Sequence, residues 1–184
     1  MKPLFTIHAG EFLVDCEIER KFRHVNVWIP AKDTGIDLLV SNNDNTQTVS
    51  LQVKFSRDYL STTKDAVLRT KIRAVGWWTP TPRQIETSRA QYWVFVLFGL
   101  ANSSKPDFII IKRTDLIERL QSIHGQVTTK FHIYFWVTKA GQCWETRGLN
   151  RGDQLSIAEN QFAHDPRNFT PYLNNWSPIR ELNG

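Results

Sequence analysis

Asp37, Gln52 and Lys54 are polar residues that stand within two short runs of alternating character. Asp37 belongs to IDLLVS (36–41), and the other two belong to TVSLQVKFS (48–56). Alternation with a period of two is typical of β-strands that bury one face. The residues between the runs are rich in Asn and Asp, which favour turns. The sequence therefore predicts a β-hairpin that carries all three polar side chains.

The register of this hairpin follows from its apolar residues. A turn centred on Asp44 and Asn45 makes a continuous apolar face from three facing pairs: Val40 with Val49, Leu38 with Leu51, and Ile36 with Val53. The same register places Asp37 opposite Gln52 and Gly35 opposite Lys54. A slip of one residue would divide the apolar residues between two faces, so burial protects this register. We therefore expect Asp37, Gln52 and Lys54 to converge on one polar patch.

A carboxylate, an amide carbonyl and an ammonium group in one place suit a divalent cation with a phosphate beside it. Mg²⁺ prefers oxygen ligands and keeps several waters, so one carboxylate and one carbonyl can suffice together with a substrate phosphate. Lys54 would orient the attacking water or stabilise charge on the phosphate oxygens. A second acid would improve the site. Glu11 is the candidate, because it opens a predicted helix, with Asp15 one turn later.

The elements that must hold these residues are predicted along the rest of the chain. One helix is expected over residues 9–22, and a second over 115–124, capped by Thr114 and ended by Gly125. Besides the hairpin, apolar or alternating runs predict four further strands, over residues 24–30, 91–100, 107–112 and 131–137. The pattern indicates an α/β protein.

The length of 184 residues suits one domain. We expect a core over about residues 1–147 and an irregular C-terminal extension over about 148–184, which Phe169, Tyr172 and Trp176 attach to the body. No run approaches the ~18 apolar residues of a membrane helix, and the N-terminus does not resemble a secretory signal. Cys16 and Cys143 form no metal or disulfide pattern. No phosphate-binding or dinucleotide motif indicates a nucleotide cofactor. We expect a cytoplasmic protein without a membrane partner.

The charge distribution indicates an acidic partner such as nucleic acid. The net charge is +5, and residues 57–89 hold seven basic residues against three acids. Trp77 and Trp78 within this segment could stack on bases, wedge a DNA step or form a dimer contact, although we expect at least one of them to be buried. The residues predicted to contact nucleic acid are Ser56, Arg57, Lys64, Arg69, Lys71, Arg73 and Arg83.

Glu11, the run Gly35-Ile36-Asp37 and the run Gln52-Val53-Lys54 together resemble the PD-(D/E)xK nuclease superfamily. The resemblance is closest to the branch with a QxK variant, as in Mrr-type restriction endonucleases. It covers residues 8–56 and, more weakly, the strands near Tyr92 and Phe108. It implies a restriction endonuclease-like fold, in which helices flank a mixed central β-sheet. The chain departs from the family pattern in having Ile36 in place of Pro and Gln52 in place of the usual acid, which leaves the site one negative charge poorer.

The resemblance also implies an activity, namely hydrolysis of DNA phosphodiester bonds with Mg²⁺, for which Mn²⁺ would substitute. Asp37 would be the principal metal ligand and Gln52 a second ligand, while Lys54 would be the catalytic lysine and Glu11 an auxiliary acid. The implied substrate is duplex or branched DNA, and a homodimer would supply two active sites for two strands. An RNA substrate and a non-catalytic module that binds nucleic acid or another partner are the alternatives. Gln52 is the residue that keeps the non-catalytic alternative open.

Overall fold

A mixed central β-sheet flanked by helices makes this an α/β protein. The computed structural model describes residues 9–32, 34–60, 65–99 and 105–183. The strands are β1 (Val25–Trp28), β2 (Leu38–Asn42), β3 (Thr48–Ser56), β4 (Ile72–Trp78), β5 (Tyr92–Leu97), β6 (Asp107–Lys112), β7 (Ile133–Thr138) and β8 (Cys143–Glu145). The helices are α1 (Ala9–Lys21), α2 (Ala66–Lys71), α3 (Pro82–Glu86), α4 (Arg113–His124), α5 (Arg151–Ala158) and α6 (Ser177–Arg180).

The central sheet has five strands in the order β1-β2-β3-β5-β6. Strands β1, β2 and β3 form an antiparallel meander, and Leu38 pairs with Leu51 and Val40 with Val49. The register predicted for the hairpin is thereby confirmed. Strand β5 lies parallel to β3, which requires a long crossover, and β6 returns antiparallel to β5. The crossover contains α2, β4 and α3.

The two faces of the central sheet are buried against different layers. Alternation along β3 and β5 sends Val53 and Val94 to the face covered by α1, where they pack with Val14 and Ile18. Trp93 of β5 points to the other face, together with Phe95, Trp78 and the fully buried Phe135. Since Gln52 and Lys54 pair with Trp93 and Phe95, they share this second face.

A second sheet, with the order β4-β7-β8, packs against that face of the central sheet. Its inner residues join the core around Phe95, while its outer residues pack under α2 and α5 with Leu68 and Ile157. The sequence did not predict β4 or β8. Strand β4 lies inside the basic segment, where Arg73 interrupts the apolar pattern, and its partner β7 is about sixty residues further along the chain.

Two local predictions differ from the structure. Thr114 does not cap α4: the helix begins at Arg113, and the Thr114 hydroxyl donates to the Asp115 carboxylate instead. The C-terminal extension contains the regular helix α5, because the Asn150 side chain accepts the Asp153 N–H at its N-terminus. Gly125 ends α4 with a φ of 72°, as predicted.

The predicted anchors of the extension are confirmed. Phe169 and Trp176 are fully buried in the two layers of core on either side of the central sheet, and Tyr172 packs beside Phe169. Within the parts of the chain that the structure describes, no helix is long and apolar enough to cross a membrane.

Gly10 brings the start of α1 close to β3, and this contact gives a testable prediction. A methyl group added at Gly10 would lie 2.7 Å from Cβ of Phe55, so helix and strand would have to separate. We expect Gly10→Ala to lower the free energy of unfolding by about 1–3 kcal/mol, although alanine favours helices more than glycine does. Urea denaturation measures the change. Glu19→Ala on the exposed side of the same helix is the control, and a Gly10→Ala protein of unchanged or higher stability would contradict the prediction.

Candidate functional site

Asp37 lies immediately before β2 and faces the middle of β3. Its N–H donates to the Leu51 carbonyl at 2.9 Å, which extends the hairpin pairing by one residue. Its carboxylate oxygen Oδ2 accepts the Val53 N–H at 2.8 Å and also accepts the Gln52 side-chain amide. Asp37 is only 7 % exposed. The hairpin therefore holds this carboxylate in one orientation through backbone and side-chain donors.

Gln52 and Lys54 project from the same side of β3, two residues apart. Gln52 is 9 % exposed and donates to Asp37, whereas Lys54 is half-buried. The Lys54 Nζ lies 5.5 Å from the centre of the Trp93 ring, a cation–π distance. The Lys54 carbonyl accepts the indole N–H of Trp78 at 3.1 Å. Two tryptophans from different sheets thus position this lysine.

An open pocket of about 330 Å³ lies in front of these side chains. The described residues that line it come from the segment before β2, from β3, from α3 and the residues after it, and from β5: Thr34, Gly35, Gln52, Lys54, Gln84, Thr87, Ser88, Arg89 and Trp93. Gly35 has a φ of 79°, which glycine adopts readily. A Cβ atom added at this position would lie 3.9 Å from the side-chain oxygen Oε1 of Gln52.

The donors at this site suit a hydrated divalent cation. Asp37 and Gln52 are the residues that would hold it, through a carboxylate oxygen and an amide oxygen, and both are the hard donors that Mg²⁺ and Mn²⁺ accept. Among the described residues there is no group of three or more His, Cys, Asp or Glu side chains placed to hold a metal. The donor set therefore fits a cation that keeps most of its waters or shares a substrate phosphate.

Glu11 occupies a different position from the other three predicted site residues. It is 4 % exposed, in the first turn of α1, the helix that packs on the Val53 face of the central sheet. Gln52 and Lys54 face the opposite side. Neither Glu11 nor Asp37 is among the described residues that line the pocket, but Asp37 contacts Gln52, which does line it. The structure thus brings together Asp37, Gln52 and Lys54, and the role of Glu11 as an auxiliary acid stays a prediction.

Two of the residues predicted to contact nucleic acid are held by other residues of the protein. Ser56 is buried. Its hydroxyl accepts the backbone N–H of Trp77 at 3.0 Å and donates to the Arg57 carbonyl at 2.9 Å. Arg73 forms a two-pronged ion pair with Asp107 at 2.7 and 2.9 Å. These contacts make both side chains poor candidates for phosphate binding, because the Ser56 hydroxyl is buried and the Arg73 charge is paired with Asp107.

The other predicted contact residues lie at the surface or outside the described part of the chain. Arg57, Arg69, Lys71 and Arg83 are exposed. Lys64 lies outside the residues that the structure describes. Of the tryptophan pair, Trp78 is buried and Trp77 is exposed, which confirms the expectation that at least one would be covered.

Sequence reasoning missed a second basic pocket beside the first. This pocket, of about 340 Å³, is lined by Arg89, Lys112, Arg113 and neighbouring residues. Arg89 lines both pockets, so a continuous basic surface leads from Lys54 to the start of α4. The sequence signal was the pair Lys112-Arg113, but only the pairing of β5 with β6 brings it next to Arg89.

Comparisons of this chain with protein-family models, curated proteins and solved structures found no match. The chemical interpretation of the site therefore depends on its own residues: an amide, a lysine beside an aromatic ring and an arginine that line the pocket, and the Asp37 carboxylate that contacts the amide.

Proposed function

We propose that this chain is a Mg²⁺-dependent DNA endonuclease with a restriction endonuclease-like fold, of the PD-(D/E)xK type. One observation carries the proposal: Asp37 contacts Gln52, and Lys54 projects from the same side of β3 into the same pocket. A mixed central sheet flanked by helices supports the fold assignment. The basic rim supports a polyanionic substrate.

Four residues in or beside the pocket have a role in phosphodiester hydrolysis under this proposal. A bound divalent cation supplies Lewis-acid stabilisation of the phosphate and a more acidic water. Asp37 and Gln52 present oxygen donors from a rigid hairpin. Lys54, held near Trp93, places an ammonium group beside the phosphate, where charge develops as water attacks phosphorus and the leaving oxygen departs. Arg89 at the rim contacts a neighbouring phosphate.

The first experiment is nicking of supercoiled plasmid by the purified protein with Mg²⁺ or Mn²⁺. We expect conversion to open-circular DNA that stops when the cation is chelated. Asp37→Asn, which keeps the shape of the side chain, should abolish it. A folded protein that cleaves neither plasmid, branched DNA nor RNA under these conditions would overturn the catalytic proposal.

A non-catalytic module that binds nucleic acid is the second candidate, and one observation favours it. The Gln52 amide and the Val53 N–H both donate to Oδ2 of Asp37, so protein groups already occupy one oxygen of the carboxylate, and position 52 holds an amide where the family pattern has an acid. This candidate predicts DNA binding that is unchanged by chelation. It also predicts that replacing Lys54 weakens binding only as far as the loss of one charge would.

Arg89 gives a prediction that applies to either candidate. If it contacts phosphate, Arg89→Ala should make the dependence of log Kobs on log salt less steep by about 0.9 for duplex DNA. Fluorescence anisotropy with a labelled duplex in EDTA measures this slope without cleavage. Arg23→Ala is the matched control, because this exposed arginine lies between α1 and β1, at the edge of the central sheet away from β5 and β6. Equal slopes for wild type and Arg89→Ala would show that Arg89 does not contact phosphate.

Gln52→Glu tests how position 52 shapes the metal site. The substitution removes the amide donor to Asp37 and sets two carboxylates against each other. Without metal, we expect the free energy of unfolding to fall by about 1–3 kcal/mol, because the buried Asp37 carboxylate loses one of its two donors and gains a carboxylate neighbour. Mg²⁺ should raise the melting temperature of Gln52→Glu more than that of wild type. Gln47→Glu in the exposed turn is the control, and an equal response of all three proteins to Mg²⁺ would contradict the prediction.

A further inference from the structure

A cluster of aromatic side chains lies at one end of the second sheet, on its outer face. Trp77 of β4 pairs with Tyr134 of β7, and His132 precedes Tyr134 by two residues, so all three share this face. Tyr59, from the segment after β3, packs beside them. We call Tyr59, Trp77, His132 and Tyr134 the aromatic surface. Trp77 is 40 % exposed and His132 is exposed, so part of it is open to solvent.

The rings of the aromatic surface hold one another in place. The Trp77 and His132 rings are nearly parallel, with planes 18° apart and centroids at 6.1 Å. Tyr59 meets Trp77 edge-on at 5.8 Å and Tyr134 at 6.4 Å. Because neighbouring rings hold Trp77 in place, the binding of a planar ligand on it would cost little side-chain conformational entropy.

The charges around the aromatic surface favour an anionic ligand. The Arg57 guanidinium lies over the Tyr59 ring at 4.8 Å from its centroid. Burial raises the pKa of the Tyr134 hydroxyl, and so does the neighbouring Tyr59. Arg147 lies near enough to this hydroxyl to offset part of the rise. Asp58 also raises the pKa of the Tyr134 hydroxyl. Among the described charged side chains that lie over these rings or act on that hydroxyl, two are arginines and one, Asp58, is an acid.

The aromatic surface is joined to the strand that carries Lys54. The backbone N–H of Trp77 donates to the hydroxyl of Ser56, two residues beyond Lys54. The indole N–H of the adjacent Trp78 donates to the Lys54 carbonyl. These contacts place Trp77 beside the end of β3, two residues beyond Lys54. Stacked rings combined with arginines are the features by which proteins hold unpaired bases.

We propose that the aromatic surface stacks an unpaired base, so that the substrate class is DNA with a single-stranded or branched segment rather than uninterrupted duplex. The inference rests on the proposed nucleic-acid function and names its substrate. Trp77 supplies the stacking face, and Arg57 contacts the phosphate backbone beside it. In duplex DNA the faces of the bases are covered by their neighbours, so this surface discriminates between the two forms.

Binding of a labelled oligo(dT) and of a duplex of equal length, measured by anisotropy in EDTA, tests the proposal. Trp77→Ala should weaken oligo(dT) binding by about 5–150-fold and duplex binding far less. Trp77→Phe keeps an aromatic face and should restore most of the affinity. Trp28→Ala is the matched control, because Trp28 is 50 % exposed and lies on the edge strand β1, outside the aromatic surface. Circular dichroism checks that each variant is folded.

The outcomes separate this proposal from the catalytic one. Selective loss of oligo(dT) binding in Trp77→Ala supports it even if plasmid is never cleaved. Equal losses on both DNAs, or none on either, overturn it while plasmid nicking stands. If the wild type binds no nucleic acid, the aromatic surface fits a protein partner instead, and the proposal is wrong. Should Trp77→Ala fail to fold, Trp77→Leu takes its place, because it keeps apolar bulk without a ring, and the same selective loss of oligo(dT) binding is then required.

Discussion

Lys54→Met is expected to lower metal-dependent plasmid nicking by about 10²–10³-fold, the usual effect of removing one electrostatic contact to a transition state. Methionine keeps an unbranched side chain that can lie near Trp93, so the variant removes the charge and little of the packing. Initial nicking rates under single-turnover conditions measure the effect. We expect the melting temperature to change by no more than a few degrees.

Lys139→Met provides the control for loss of one positive charge. Lys139 is exposed in the turn after β7, away from the described lining of the pocket, and its replacement should leave nicking nearly unchanged. If Lys54→Met cleaves at the wild-type rate, Lys54 is not the catalytic lysine. If both variants lose activity together with DNA affinity, general electrostatic attraction, rather than a role at the scissile phosphate, explains the effect.

Arg167→Ala should cause a large loss of stability, about 3–5 kcal/mol of unfolding free energy, because it leaves a buried charge without its partner. Glu145 on β8 is completely buried, and its Oε2 accepts from Arg167 at 2.6 Å. Its Oε1 accepts the Arg147 N–H at 3.0 Å, and His124 lies 3.6 Å away. Arg167 also donates to the carbonyls of Glu145 and Arg147. Urea denaturation of wild type and variant measures the difference.

Two further proteins make this prediction specific. Arg20→Ala removes an arginine with an ion pair of similar length, to Glu17 at 2.8 Å, but at the surface, so its stability should barely change. The double variant Arg167→Ala, Glu145→Gln removes the buried charge together with its partner and should recover part of the loss. An Arg167→Ala protein as stable as Arg20→Ala would show that Glu145 finds compensation elsewhere.

The hairpin and its polar patch could be predicted because their determinants are local. The apolar residues of β2 and β3 alternate, the turn between them is short, and a slip of one residue would expose the apolar residues. The contact between Asp37 and Gln52 follows from that register, whatever the rest of the chain does. The same reasoning predicted α1 and Gly125, since helix propensity and a left-handed terminal glycine act over a few residues.

The second sheet and the walls of the site depend on contacts between segments far apart in the chain. Strand β4 is recognisable as a strand only when β7 pairs with it, and Arg73 is tolerated there because Asp107 neutralises it. Trp93 and Arg89 reach Lys54 and its pocket only because β5 lies parallel to β3. Charge counting along the sequence could not separate the internal Arg73 from the exposed Arg83, because burial is a property of the packed layers. Local alternation thus determines which side chains of the hairpin converge, whereas packing of the two sheets determines what surrounds them.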